Sequence, residues 1–332
     1  MSSFWQGRSV LVTGADGFIG SHLVERLCAE GAKVRAFCFY NSNGSLGWLD
    51  EASEEVRKDL DPWFGDIRDS RRVESACDGV DTVFHLAALI AIPYSYAAPQ
   101  SFIETNIGGT LNVLEGVRRK GCRRVVHTST SEVYGTPARL PIRETHPLQG
   151  QSPYAASKIG ADALCESFLR SFDVPVVVLR PFNTYGPRQS TRAVLPTILA
   201  QLLEGQSRIR LGNLAPKRDL TFILDTVDGF VRAGAAVGVE GEVIQLGTGN
   251  AVSIGDLLIM AARVVGVEVE VITEPERVRP DRSEVMVLES DPVKAASRLD
   301  WHPRYSLEEG ITLTAEWIRS HRTGLVIDRF HV

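Results

Sequence analysis

The chain has 332 residues, 44% of them hydrophobic and 23% charged, with a formal net charge of -5 at neutral pH. This length and apolar content suit one large α/β unit or two lobes, and the acidic balance argues against nucleic-acid or membrane-surface binding, which needs a basic face. Residues 1–8 lack a signal-peptide pattern, no apolar run reaches membrane-spanning length, and the five cysteines form no C-x-x-C pair, so a cytoplasmic protein without a metal site is expected.

The first element is an apolar run, Ser9 to Thr13, ending in Gly14-Ala15-Asp16-Gly17-Phe18-Ile19-Gly20. A helix over Ser21 to Glu30 follows, so the G-x-x-G-x-x-G spacing falls at a strand-to-helix turn. Glycine lets the backbone approach a pyrophosphate there, and the helix offers unpaired N–H groups and the positive end of its dipole. A dinucleotide held by Gly14, Asp16, Gly17, Phe18, Ile19 and Gly20 is therefore expected.

Further strands are predicted over Lys33 to Phe39, Thr82 to Leu86, Arg124 to Thr128 and Val174 to Leu179. Helices are predicted near Ser70 to Cys77, Gln100 to Lys120 and Pro153 to Phe172. This alternation predicts a doubly wound parallel sheet of Rossmann type, with ligands at the carboxyl ends of its strands. Beyond Gly186 the elements shorten, which predicts a dinucleotide-binding domain over 1–186 and a smaller, interleaved α/β substrate lobe over 187–332.

The end of the second predicted strand departs from the dinucleotide pattern. An Asp or Glu that would bond the ribose hydroxyls of NAD is missing, as is an arginine for the 2′-phosphate of NADP. The stretch Cys38-Phe39-Tyr40-Asn41-Ser42 leaves Asn41 and Ser42 as uncharged candidates and the choice between NAD and NADP open. In Gly65-Asp66-Ile67-Arg68-Asp69 an aspartate could accept from the adenine amino group or cap a helix.

Two stretches carry chemistry. Thr128-Ser129-Thr130-Ser131-Glu132 follows a buried strand, and Tyr154 and Lys158 lie four residues apart on one helix face. An ammonium near a phenol favours the phenolate, giving a base that works near neutral pH. Arg188, Arg192, Arg218, Arg279 and Arg282 are cations able to pair with phosphate oxygens through the planar guanidinium.

The glycine turn, Phe84-His85-Leu86-Ala87-Ala88, Asn106, the Thr-Ser-Glu stretch, Tyr154 with Lys158, and Arg180-Pro181-Phe182-Asn183-Thr184-Tyr185-Gly186-Pro187-Arg188 together resemble the extended short-chain dehydrogenase/reductase family over nearly the whole chain. Its members act on nucleotide-activated sugars as 4-epimerases, 4,6-dehydratases or decarboxylases. The resemblance adds Asp66, Ile67, Leu86, Ala87, Ala88, Thr128, Tyr154 and Lys158 to the cofactor contacts. It implies Asn106, Asn183, Arg188, Arg192, Arg218 and Arg279 for the substrate, with Arg218, Arg279 and Asn183 nearest the diphosphate. It also implies a tightly bound NAD or NADP recycled at each turnover, and a homodimer formed through a four-helix bundle.

Glu132 separates the possible outcomes. A 4-epimerase needs only the first base, whereas a 4,6-dehydratase must also remove the C5 proton and expel the C6 hydroxyl. Relatives acting on dTDP-glucose carry S-T-D-E-V-Y-G; here Ser131 stands at the Asp position, as in the T-S-E form of GDP-mannose dehydratases, which decarboxylases of UDP-glucuronate share. The segments Ala36–Ser42, Gly47–Asp50, Leu89–Tyr96 and Gln189–Pro196 look like GDP-N-acetylglucosamine 4,6-dehydratases of legionaminic acid biosynthesis. On this resemblance Tyr154, supported by Lys158 and Thr130, takes the C4 hydroxyl proton, and Glu132 with Ser131 carries out the elimination. The rivals are a 4-epimerase and a decarboxylase in which Arg192 faces the uronate carboxyl.

Overall fold

The computed structural model describes residues 4–274, 277, 280 and 282–321. In chain order the first half holds β1 (Ser9–Thr13), α1 (Phe18–Ala29), β2 (Lys33–Phe39), α2 (Glu54–Asp59), β3 (Asp61–Gly65), α3 (Ser70–Ala76), β4 (Thr82–His85), α4 (Ile92–Ala97), α5 (Pro99–Phe102), α6 (Gly109–Lys120), β5 (Arg124–Thr128), α7 (Pro153–Phe172) and β6 (Val176–Pro181). The second half holds β7 (Asn183–Tyr185), α8 (Val194–Leu203), β8 (Arg208–Leu211), β9 (Lys217–Phe222), α9 (Ile223–Ala235), β10 (Val243–Leu246), β11 (Ala251–Ser253), α10 (Ile254–Val265), β12 (Glu270–Thr273), β13 (Val287–Leu288), α11 (Val293–Leu299) and α12 (Leu307–Ser320).

Seven strands form one parallel sheet in the order β10-β6-β5-β4-β1-β2-β3. Side chains alternate between its faces. Val10, Val12, Phe84, Val126, Val177 and Leu179 pack into one core, whereas Leu11, Val83, Val125, Val176 and Val178 pack into a second. With helices on both faces, the central strands read as nearly continuous apolar runs. The expected Rossmann-type fold is present. Strand order reverses between β1 and β4, which places the carboxyl ends of both beside the glycine turn. β10 returns to this sheet from beyond residue 186, while β7, β11 and β13 join β9 in a second sheet and β8 pairs β12.

Three elements differ from the sequence reading by more than one residue. α1 begins at Phe18, three residues early, because Gly17 is its N-cap. β6 begins at Val176, because α7 ends in a left-handed residue, Asp173 (φ 54°), and the Val174 N–H is spent on the Phe168 carbonyl. The helix expected over Gln100 to Lys120 is interrupted by a π turn, Ile103–Gly108. Such turns insert a residue into the helical ladder and re-aim side chains; here the turn carries Asn106. No helix among the described residues is long and apolar enough to cross a membrane.

Candidate active site

The glycine turn is built for close approach. Gly14 has a φ of +68°, and a Cβ there would meet the Ala87 nitrogen at 2.9 Å; a Cβ on Gly20 would meet the Gly14 carbonyl at 2.0 Å. Gly17 caps α1 in extended conformation without a side-chain cap, so its first-turn N–H groups face the turn. The Thr13 hydroxyl accepts from the N–H groups of Leu86 and Ala87 at 3.1 and 3.2 Å, tying the end of β1 to the loop after β4. Thr13 lies 2.9 Å from His85 Nδ1, and His85 Nε2 lies 3.1 Å from the Thr110 hydroxyl, which itself donates to Asn106 O. These bonds fix His85 as a neutral ring protonated on Nε2, in keeping with the burial that holds its pKa well down.

A dinucleotide fits this setting: glycines crowd the turn, helical N–H groups are uncapped, and the Thr128 hydroxyl at the β5 end is buried without a hydrogen-bond partner. Ala88 lies half-buried on the same loop. The Asp16 carboxylate accepts from the Phe39 N–H at 3.2 Å, which joins the turn to the end of β2. Phe18 and Ile19 form the first turn of α1 and pack on the core.

Two expected adenosine contacts are otherwise employed. Asn41 spends its amide on Phe39 O, Ser45 O and Ser45 N, closing its own loop; Ser42 is exposed beside it. The Asp66 carboxylate is forked by Arg68 at 2.6 to 3.1 Å, which holds its pKa down. Asp69, not Asp66, caps α3. Ile67 is buried against Gly109.

The residues expected to carry acid–base chemistry converge at the ends of β5 and α7. Ser152 caps α7 by accepting from the Ala155 N–H at 3.1 Å, and Pro153 fills the first helical position. This start aims Tyr154 and Lys158 inward, where they are 8% and 4% exposed. β5 runs into Thr130, whose hydroxyl accepts from the Glu132 N–H at 3.2 Å and caps a short 3₁₀ turn, Ser131–Tyr134. Ser131 is buried and Glu132 half-buried.

Burial pushes the Tyr154 hydroxyl well above its ordinary range; a hydrogen bond with Thr130 offsets part of this, and the charges of Glu132 and Asp162 add to the rise. Thr130 and Glu132 therefore both act on the phenol. The sequence reading gives that influence to Lys158; its Nζ donates to the Thr128 carbonyl, and burial lowers its pKa against the pull of Asp162.

The expected substrate contacts divide. Asn183 Oδ1 is buried without a partner, and Arg192 is exposed. Arg218 is 6% exposed, donating to Val285 O at 2.8 Å and to Glu284 at 3.0 Å. Arg279 lies outside the described residues. Two further expected contacts have partners within the protein. Arg188 is left-handed (φ 69°) and held against α1 by Glu25 at 2.8 Å and Ser21 at 3.2 Å. Asn106 is 1% exposed, with its amide bonded to both backbone groups of Leu89 and to Ser157, which braces the loop after β4.

A glycine cradle, a Thr–Ser–Glu turn and a buried Tyr/Lys pair on one helix are now placed together. Residues 11–314 match the family described as GDP-mannose 4,6 dehydratase. The chain belongs to this extended short-chain dehydrogenase/reductase family of nucleotide-sugar dehydratases and epimerases. It is 33% identical to the UDP-glucose 4-epimerase of Mycolicibacterium smegmatis (93% of this chain, 98% of the relative) and 33% identical to the dTDP-glucose 4,6-dehydratase of an Actinoplanes species (95% and 98%). Among solved structures, the dTDP-glucose 4,6-dehydratase of Streptomyces venezuelae, determined with NAD bound, superposes with a TM-score of 0.86 at 30% identity, covering 96% of this chain and 98% of that one.

In this dehydratase/epimerase chain the sequence reading did not single out Asp162, Thr13 or Thr110. Asp162 had a local signal, since it follows Lys158 by the same four-residue step that separates Tyr154 from Lys158. The two threonines had none, because their partners lie 72 and 25 residues away on other elements.

Proposed function

We propose that this enzyme is a nucleotide-sugar 4,6-dehydratase acting on GDP-N-acetylglucosamine and yielding the 4-keto-6-deoxy sugar. The observation that carries the reading is Glu132, a carboxylate on the Thr130-capped turn, close enough to Tyr154 for its charge to act on the phenol. C4 oxidation needs one proton acceptor, whereas loss of water across C5 and C6 needs a second group that can take and return a proton. The segments likened above to GDP-N-acetylglucosamine 4,6-dehydratases support the choice of sugar and base.

Gly14, Gly17 and Gly20, with Asp16, Phe18 and Ile19, would hold the dinucleotide diphosphate against α1, while Leu86, Ala87, Ala88 and Thr128 would line its nicotinamide end. When bound, NAD or NADP supplies the two-electron chemistry that oxidises C4 and later reduces C6. Tyr154 takes the C4 hydroxyl proton and Thr130 steadies that hydroxyl. Lys158 adds positive charge beneath the pair. Glu132 removes the C5 proton and, with Ser131, passes it to the departing C6 hydroxyl; as C6 is reduced a proton returns to C5, balanced by the one Tyr154 took from the C4 hydroxyl. Asn183, with its unpartnered buried oxygen, Arg192 and Arg218 serve the diphosphate, from a lobe that begins near residue 187.

The same reading includes a homodimer through α6 and α7. Leu111 on α6 is 39% exposed, and Ala156 and Ala163 on α7 are exposed small residues that let a partner helix approach.

A second reading, a 4-epimerase, is favoured by the likeness to the M. smegmatis enzyme. Mass spectrometry of products from GDP-, UDP- and dTDP-sugars, including N-acetylglucosamine and glucuronate forms, separates the two. The proposal expects loss of one water from GDP-N-acetylglucosamine. A product of unchanged mass, or loss of carbon dioxide from a glucuronate, would contradict it.

A further inference from the structure

Beneath Lys158 lies a cluster of buried charges that the mechanism above does not use. Asp162, one helical turn beyond Lys158, is 7% exposed; its Oδ2 accepts from the Ser129 hydroxyl at 2.8 Å and from Arg180 at 2.9 and 3.3 Å. His127 Nε2 stands 3.4 Å from its Oδ1. Arg180 in turn donates to the Tyr134 hydroxyl at 2.9 Å. The groups around Asp162 are thus Lys158 and Cys165 from α7, His127 from β5 and Ser129 just after it, Arg180 from β6 and Tyr134 from the 3₁₀ turn, with the His85 ring of β4 tilted against His127, centroids 5.5 Å apart.

We propose that Asp162 is a positioning residue with two tasks: it supplies the carboxylate that keeps the buried Lys158 ammonium protonated, and through Ser129 it fixes the β5 end that carries Thr130 beneath Tyr154. The inference rests on Tyr154 and Lys158 being the acid–base pair, and not on the identity of the sugar.

Lys158 has left water almost completely, and an ammonium in a dry site tends to shed its proton unless an anion faces it. Its Nζ donates to a neutral carbonyl, Thr128 O, which supplies no charge. Cys165 supplies none either, because burial holds its thiol well above the ordinary range. His85 and His127 are held neutral by burial and neighbouring positive charge. Asp162 is the carboxylate acting on Lys158. Burial alone would raise its own pKa, but His127, Arg180 and Ser129 outweigh burial and keep it ionised. Charge and geometry are coupled, because the residue whose charge acts on the ammonium, one helical turn along α7, also grips Ser129, next to Thr130.

The test is NMR of the whole protein carrying 13C-labelled lysine, with the Lys158 signal assigned by its loss in Lys158→Arg. In Asp162→Asn the Lys158 titration midpoint is expected to fall by at least about one pH unit from its wild-type position. Asp162→Glu, which keeps the charge, should stay near the wild type. An unmoved midpoint in a folded Asp162→Asn protein overturns the proposal, as does an equal fall in Asp162→Glu. Should the Asn variant not fold, a Lys158 side chain that is uncharged at neutral pH in the wild type overturns it alone. This readout needs no turnover, so its failure is distinct from a wrong substrate. In the GDP-N-acetylglucosamine assay, the alkaline limb of the kcat/KM profile of Asp162→Asn should move down with the midpoint.

Discussion

The Asn106 side chain donates to the Ser157 hydroxyl across 2.9 Å, which joins the π turn before α6 to the catalytic helix between Tyr154 and Lys158. Because the same amide also exchanges bonds with both backbone groups of Leu89, one side chain registers the β4 loop, the π turn and α7. Removing it leaves buried polar groups without partners, at a cost of roughly 1–3 kcal/mol. Asn106→Ala is therefore expected to lower the thermal midpoint and kcat, with KM little changed. A rise in KM at unchanged stability would make Asn106 a substrate contact.

The glycines of the first turn should differ in tolerance. A methyl on Gly20 meets the Gly14 carbonyl at 2.0 Å, whereas one on Gly17 meets it at 3.3 Å. Gly20→Ala is expected to abolish copurification of dinucleotide, read from the ultraviolet spectrum, and Gly17→Ala only to weaken it. Equal retention in both would contradict the close approach described for this turn.

Acid should destabilise the fold through its buried histidines. Burial lowers the pKa of His22 to about 4, so the unfolded chain binds that proton first. Stability from His22 is complete above its unfolded value of about 6.5 and is lost as pH falls towards 4, with a slope of at most about 1.4 kcal/mol per pH unit. His85 and His127 are shifted the same way. Urea unfolding between pH 7 and 4 should show this decline, and His22→Gln should make it shallower.

If α6 and α7 form the dimer face, Leu111→Glu places a charge at its centre. Light scattering is expected to give twice the chain mass for the wild type and the monomer mass for the variant. A monomeric wild type would remove the bundle from the account.

Much of this arrangement was legible in the sequence because it is local. Ser152 and Pro153 mark the start of α7, four-residue spacing places Tyr154 and Lys158 on one face, and strand composition gives β1, β2 and β5 within a residue. What was not legible depends on partners distant along the chain. The pairing of Arg188 with Glu25, 163 residues earlier, has no local signal. Nor has the bonding of the Asn106 amide to Leu89, which depends on the π turn. Asp162 has the right spacing, but its meaning requires Arg180 and His127 from separate strands. That burial, Thr130, Glu132 and Asp162 also act on Tyr154, and that the Lys158 Nζ donates to the β5 carbonyl, depends on residues from separate elements.

The central claim is that Glu132 performs the elimination and Tyr154 the oxidation. The most direct measurement compares wild type and Glu132→Gln with GDP-N-acetylglucosamine, following nicotinamide absorbance and product mass together. The account expects the variant to keep C4 oxidation, seen as reduced cofactor, while water loss falls by at least about 100-fold, the lower range for removing a general acid–base. Full dehydration by the Gln variant would contradict it.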